Sequence, residues 1–106
     1  MLCGLVDATN SLTQRGVAVN RILLIGGAAK NPAIGEIAAA LFGREVLIPP
    51  AGEYVANGAA RQAAWALLGG ESAPHWDLGE VKSVSAQPTP EVLERYLQLK
   101  DRTTTW

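Results

Sequence analysis

RILLIGGAAKNPAIGEIAAA, residues 21–40, is the stretch of sequence that decides the fold. Residues 21–25 form a short run rich in Ile and Leu, which is typical of a strand covered on both faces. The run stops at Gly26 and Gly27. Asn31 and Pro32 then predict a helix N-terminus, because asparagine is a good N-cap and proline costs nothing at the first helical position. This order places backbone N–H groups and the positive end of a helix dipole around one small volume, where glycine backbone admits a flat or anionic ligand.

A second strand is predicted after this helix. The helical pattern that begins at Pro32 ends at Gly43, and residues 45–48 are again mostly apolar. A strand, a helix and a strand in this order make a βαβ unit, in which the two strands run parallel and the crossover is right-handed. The sequence therefore predicts an α/β fold with a parallel βαβ unit flanked by helices.

The flanking helices are indicated by apolar spacing and by glycine and proline. Residues 1–15 and 54–68 have helical patterns that stop at glycines, and a last helix is predicted to begin at Pro90. Residues 49–52, with two prolines, are expected to form a stiff loop. Residues 71–89 lose periodicity and are interpreted as an extended surface segment.

The same pattern predicts a chain that is part of a larger domain. The first helix starts in mid-pattern with no capping residue before Leu2. Two parallel strands leave edges without partners and faces without cover, so they do not make a stable sheet alone. The isolated chain is expected to be marginally stable or self-associating. Residues 103–106 are expected to fray.

Composition narrows the class of protein. A chain of 106 residues with a formal net charge of −1 lacks the excess of positive charge that is typical of proteins binding nucleic acid or an anionic membrane surface. No apolar run approaches the roughly 18 residues that a membrane span needs, and no signal-peptide pattern is present. The single cysteine, Cys3, cannot form an internal disulfide. We expect a cytoplasmic chain with a buried thiol; a reactive thiol is the alternative.

Three stretches together resemble one known family. They are IGGAAKNP at residues 25–32, GEYVANGAARQAAW at residues 52–65 and ERYLQL at residues 94–99. In this order they resemble the C-terminal part of the FGGY carbohydrate kinases, and most of all the bacterial members that convert D-xylulose to D-xylulose 5-phosphate. The resemblance covers essentially the whole chain.

The resemblance implies a fold, a reaction and a site. The fold is an actin-like, ribonuclease-H-like ATPase domain, with residues 1–70 in the nucleotide-binding C-terminal domain and residues 71–106 as a surface segment and terminal helix packed on it. The reaction is transfer of the γ-phosphoryl group of ATP, with Mg²⁺, to a sugar hydroxyl in the full-length enzyme. It further implies that Gly26, Gly27 and Ala28 line the adenine and ribose slot, with Asn31 hydrogen-bonded to the nucleoside.

The sequence does not contain the catalytic motifs of the family. In the family, the aspartate base, the phosphate-binding turns and the sugar-contacting domain lie upstream of this segment. Asp7, Asp77 and Asp101 do not sit in the expected motif. We therefore assign no catalytic residue and no metal ligand, and expect the sugar to bind only through the upstream segment. The isolated chain is expected to be inactive, because phosphoryl transfer needs several segments together.

Other kinds of nucleotide-binding fold, and a metal site, fit the sequence less well. A dinucleotide-binding half-domain requires G-x-G-x-x-G and an acidic residue ending the second strand, whereas this chain has GGAAKNPAIG and Ile48-Pro49-Pro50. No Walker-type phosphate loop occurs, and His75 has no second ligand at metal spacing. A non-catalytic remnant, an interaction module and a family kinase for another sugar stay open. Lys30 is either a phosphate ligand or an exposed turn lysine.

Overall fold

The computed structural model describes residues 1–77 and 79–103, which form four α-helices, one turn of 3₁₀ helix and two short strands. The structure contains both helices and strands, as predicted. In chain order the elements are α1 (Leu2–Gln14), the 3₁₀ helix (Gly27–Lys30), α2 (Pro32–Phe42), β1 (Val46–Ile48), α3 (Tyr54–Leu68), β2 (Lys82–Val84) and α4 (Pro90–Thr103).

The first predicted strand is reduced to a single bridge. Leu23 forms an isolated parallel bridge with Leu47 in β1. The Leu47 amide donates to the Ile22 carbonyl at 2.9 Å, and the Leu24 amide donates to the Leu47 carbonyl at 2.8 Å. The parallel direction agrees with the prediction, but the strand over residues 21–25 was predicted too long. In the described part of the chain this segment pairs along one edge only. A segment with a single paired edge forms a regular β-ladder less readily.

The other edge of β1 carries a strand that the sequence analysis did not predict. β2 pairs antiparallel with β1, with Val46 opposite Val84 and Ile48 opposite Lys82. It lies within residues 71–89, which were predicted to be an extended surface segment; residues 82–84 are extended and mostly exposed, but they pair as a regular strand. A three-residue strand is too short for a periodicity signal. It forms because β1 presents unpaired backbone N–H and C=O groups along this edge.

The predicted ends of α2 are confirmed. Asn31 is the N-cap, and its side-chain Oδ1 accepts a hydrogen bond from the Ala33 amide at 3.1 Å. Pro32 occupies the first helical position. Gly43 ends the helix with a φ of 61°, a left-handed conformation that costs glycine little.

A small core joins α1, α2 and β1. The apolar faces of α1 and α2 are only partly buried. Leu5 of α1 and Ile37 of α2 are each about half exposed, at 48% and 49%. Cys3 is half-buried against the core rather than fully buried. Among the described residues the buried core consists of Leu2, Val6, Ala38, Ala39, Leu41 and Val46.

Gly35 lets α2 lie close to the sheet. A Cβ atom on this buried residue would lie 2.7 Å from Cδ1 of Ile48 and 3.7 Å from Cγ2 of Val84. Interiors are packed to crystal-like density, so a side chain here forces its neighbours to move. The missing side chain therefore brings α2, β1 and β2 into contact.

The last helix packs on the first two. Leu93 of α4 lies against the core, and Lys100 forms an ion pair with Asp7 of α1 at 2.6 Å. The hydrogen bond from Lys100 to Asp7, together with the charge of Asp7, raises the pKa of Lys100. Because the pKa of Lys100 is raised, the charge of the lysine stabilises this contact through neutral pH, and that contribution is lost as the pH rises through the pKa of Lys100 in alkaline solution. Thr103 is the last residue of α4, and residues 104–106 lie outside the described part of the chain.

Helix α3 stands apart from this body. None of its residues is buried, and Val55 and Leu67 are 87% and 86% exposed. Gly58 of this helix has no atom of another described element within 4 Å of its Cβ position. The radius of gyration is 16.9 Å, against roughly 13 Å for a compact domain of this length. No helix among residues 1–77 and 79–103 is long and apolar enough to cross a membrane.

Substitution of Gly35 by valine tests the helix–sheet contact. Gly35→Val should lower the free energy of unfolding by about 1–3 kcal/mol, because the added methyl groups overfill the space beside Ile48. Gly58→Val is the matched control, since Gly58 also lies inside a helix but has no atom of the described chain within 4 Å of its Cβ position. The control should change stability by no more than about 0.5 kcal/mol. Equal losses in urea denaturation would contradict this packing.

Candidate functional site

A cavity of about 670 Å³ lies where the glycine turn, the end of β1 and β2 meet. Three segments line it: residues 24–27 with the start of α2, residues 48–54, and alternate residues from 80 to 84. This volume lies in the range of small-molecule sites, which are usually clefts lined by apolar groups with a few polar ones.

The first wall is the glycine turn. Gly26 has φ 101° and ψ 178°, a region of backbone conformation that is essentially reserved for glycine. Gly27 begins the 3₁₀ helix and is not among the positive-φ glycines. No atom of the described residues lies within 4 Å of a Cβ built on Gly27. Gly26 therefore makes the turn, whereas Gly27 leaves open space beside the cavity.

The second wall is the proline loop after β1. Pro49 is buried and Pro50 follows it, so the chain direction is fixed as it leaves the sheet. The Tyr54 hydroxyl, at the start of α3, donates to the Pro50 carbonyl. This hydrogen bond closes the loop on itself and makes residues 48–54 a continuous wall.

The third wall is the strand that the sequence analysis missed. Glu80, Lys82 and Val84 line the cavity. The Gly79 amide donates to Oδ1 of Asp77 at 2.9 Å, and a Cβ on Gly79 would lie 3.3 Å from Cγ of Pro50. The third wall therefore abuts the second. No sequence pattern indicated this wall, because it is created by strand pairing between distant segments.

The predicted site residues are only partly brought together at the cavity. Gly26 and Gly27 line it, while Ala28 and Asn31 belong to the same turn without lining it. The Oδ1 atom of Asn31 is used by the helix cap, and its amide NH₂ makes no hydrogen bond within the described residues. Tyr54 was not predicted as a site residue, although loops after neighbouring parallel strands are expected to meet at one edge of a sheet.

The cavity has charged residues at its rim. Each of them is exposed, and none has a side-chain hydrogen bond or ion pair with another described residue. They are Lys30, Glu36, Glu53, Glu80 and Lys82. Apolar side chains such as Leu24, Ile48 and Val84 lie alongside them. Such an arrangement suits a ligand with a flat apolar part and a polar or charged part.

The described residues do not assemble a metal centre. No group of three His, Cys, Asp or Glu residues among them could hold a metal ion. Asp7 is paired with Lys100 of α4, and Asp77 caps the turn at Gly79. Neither aspartate is among the residues that line the cavity.

Comparisons with known proteins agree on one family. The model of the FGGY family of carbohydrate kinases, C-terminal domain, matches residues 2–67. A xylulose kinase of Streptomyces rubiginosus is 39% identical over 84 residues, which are 76% of this chain and 16% of that protein.

A solved structure gives the same result. The crystal structure of xylulose kinase from Bifidobacterium adolescentis matches with a TM-score of 0.74 and 42% identity, over 93% of this chain and 20% of that one. The chain thus spans a fifth or less of the length of these relatives.

Alanine substitutions at Gly26 and Gly27 should show which glycine is required by its backbone conformation and which only leaves space beside the cavity. Gly26→Ala should lower the free energy of unfolding by about 1–3 kcal/mol, because alanine rarely adopts the backbone angles of Gly26. Gly27→Ala should change it by less than about 0.5 kcal/mol, since neither φ nor a neighbouring atom opposes a methyl group there. Urea denaturation of both variants measures this. A larger loss at Gly27 than at Gly26 would contradict the turn geometry.

Proposed function

The chain belongs to the FGGY family of carbohydrate kinases, and from this premise we propose that it supplies the adenosine-binding corner of an ATP-dependent xylulose kinase. The observation that carries the proposal is the open glycine turn at Gly26 and Gly27, which faces a cavity of about 670 Å³. The two xylulose kinases found by comparison are 39% and 42% identical to this chain over the matched residues. Their names support xylulose as the sugar that the whole kinase phosphorylates.

The proposed binding mode follows from the three walls. The adenine plane lies against the Cβ-free backbone of Gly27 and contacts the apolar side chains of Ile48 and Val84. The amide NH₂ of Asn31 donates to the nucleoside, because its carbonyl oxygen already caps α2. Ala28 and Asn31 do not line the cavity themselves, and the family resemblance is what places Ala28 beside the ribose. The N-terminus of α2 favours the negative charge that follows along the nucleotide.

The reaction itself is proposed to need the rest of the kinase. ATP carries Mg²⁺ on its phosphate groups, and the metal neutralises charge as the γ-phosphoryl group moves to the sugar hydroxyl. The described residues contribute binding and orientation of the adenosine half. The sugar, the base that takes its proton and the phosphate-binding turns are assigned to the upstream part of the polypeptide, in a cytoplasmic enzyme.

The proposed domain organisation also follows from the family. We place residues 1–70 in the nucleotide-binding domain of an actin-like ATPase, and residues 71–106 as a segment packed on it. The parallel bridge between Leu23 and Leu47 supports a βαβ unit of this kind. The contact of Leu93 with the core supports the packing of the C-terminal segment.

One observation favours a second candidate function. α3 exposes Val55, Leu67 and Leu68 at 87%, 86% and 73%, and none of its residues is buried, so its apolar side chains are open to contact with another protein. An interaction module without kinase function would also show this surface. The two functions differ in that only the first requires nucleotide binding at the glycine turn.

Nucleotide titration of the chain tests the first function. In ¹⁵N-labelled protein, ATP should shift the amide signals of Gly26 and Gly27, and NMR detects even millimolar affinity. Gly27→Val should weaken ATP binding at least tenfold, because its side chain fills the space proposed for the adenine. Its unfolding free energy should stay within about 0.5 kcal/mol of the parent.

The control for this titration is Gly58→Val, which lies outside the cavity and should bind ATP like the parent. If Gly27→Val binds ATP as tightly as the parent, Gly27 is not in the nucleotide slot. If the parent shows no shift at the turn with ATP, the proposed function itself is wrong.

The chain alone should not phosphorylate xylulose. The described residues contain no catalytic carboxylate at the cavity in the motif that the family uses, and phosphoryl transfer depends on several positioned groups. A coupled assay for ADP, with D-xylulose and Mg-ATP, should give no more signal than the same assay without sugar. Xylulose-dependent ADP release by pure chain would overturn this assignment of roles.

A further inference from the structure

The third wall of the cavity provides a charged side chain with no assigned role. Resting on the proposed function, we propose that Lys82 is a nucleotide-binding residue whose ammonium group contacts the phosphate groups of the nucleotide held at the glycine turn. Lys82 lies beyond residue 67, where the match to the family model ends.

Strand pairing fixes where Lys82 points. β2 is antiparallel to β1, and Lys82 is the partner of Ile48. Side chains of directly opposed residues lie on the same face of a sheet. Ile48 faces α2, since its Cδ1 atom lies 2.7 Å from the Cβ position of Gly35. Lys82 therefore lies on the face of the sheet that α2 covers, at the end where the cavity opens.

Alternation along β2 separates two faces with different surroundings. Lys82 and Val84 both line the cavity, as residues two apart on a strand should. Ser83 between them points the other way, and its hydroxyl donates to the Glu45 carboxylate. Lys82 and Ser83 are adjacent in β2, so Lys82 provides a side chain in the cavity and Ser83 provides a control position outside it.

Charge at the rim indicates which part of a ligand Lys82 would meet. The lining includes two lysines, Lys30 and Lys82, and three glutamates, Glu36, Glu53 and Glu80. Lys82 therefore offsets part of the negative charge of the three glutamates and gives the third wall a cation that a phosphate group can contact. Lys82 makes no side-chain hydrogen bond or ion pair with the described residues, so its three donors are available to a ligand.

Phosphate is the part of the nucleotide that suits this group. An ammonium group is a compact point charge with donors only, and it binds phosphate oxygens in this way. Adenine and ribose are neutral and gain little from it. The N-terminus of α2 opens toward the same cavity, where Pro32 is part of the lining, and adds further positive potential.

A series of nucleotides of increasing charge tests the proposal. The affinities of adenosine, AMP, ADP and ATP for the chain are measured by NMR titration without added Mg²⁺, so that the phosphates keep their full charge. Lys82→Met should weaken ADP and ATP about fivefold, the size of an exposed charge contact, and leave adenosine within twofold. Lys82→Arg, which keeps the charge, should stay within about twofold of the parent for ATP.

Ser83→Ala is the matched control and should bind all four ligands like the parent. The amide signals of residues 46–48 and 82–84 report whether β2 is still paired in each variant. If Lys82→Met weakens adenosine as much as ATP, or leaves ATP unchanged, Lys82 does not contact phosphate and the inference is wrong. If the parent binds neither adenosine nor ATP, the proposed function fails first, which is a different result.

Discussion

The structure depends on the pairing of β1 along both of its edges. Leu47 exchanges backbone hydrogen bonds with Ile22 and Leu24 on one side, and β2 completes the other side. Each wall of the cavity begins at one of these three segments: the glycine turn follows Leu24, the proline loop follows Ile48, and β2 is itself the third wall. Three residues of central strand thus hold together groups that are 58 positions apart in sequence, from Gly26 to Val84.

The energetic margin of this arrangement is small. Six described residues form the buried core, and the accessible surface is 7976 Å², against roughly 5,700 Å² for a folded monomer of 11.2 kDa. Much apolar surface, including that of α3, stays in water. Because ligand binding to the folded state adds to stability by mass action, occupancy of the cavity and folding of the chain are expected to be coupled.

The sequence was informative wherever local chemistry decides structure. Asn31, Pro32 and Gly43 marked the ends of α2, and the glycines after residue 68 marked the C-terminal end of α3, because caps act on the nearest turn. Lys82 and Tyr54 were missed as cavity residues, since their positions depend on pairing and loop closure between distant segments. Burial was also difficult to predict, as the half-exposed Ile37 shows. Periodicity identifies an apolar face of a helix without showing whether another element covers it.

The central claim is that the cavity around the glycine turn holds the adenosine part of a nucleotide. It is tested most directly by intermolecular nuclear Overhauser effects between the chain and AMP. We predict contacts from the adenine H2 and H8 protons to the Gly27 amide and to methyl groups of Ile48 and Val84. Contacts confined to exposed methyl groups of α3, such as those of Val55 and Leu67, would contradict the account and leave the glycine turn as a purely structural feature.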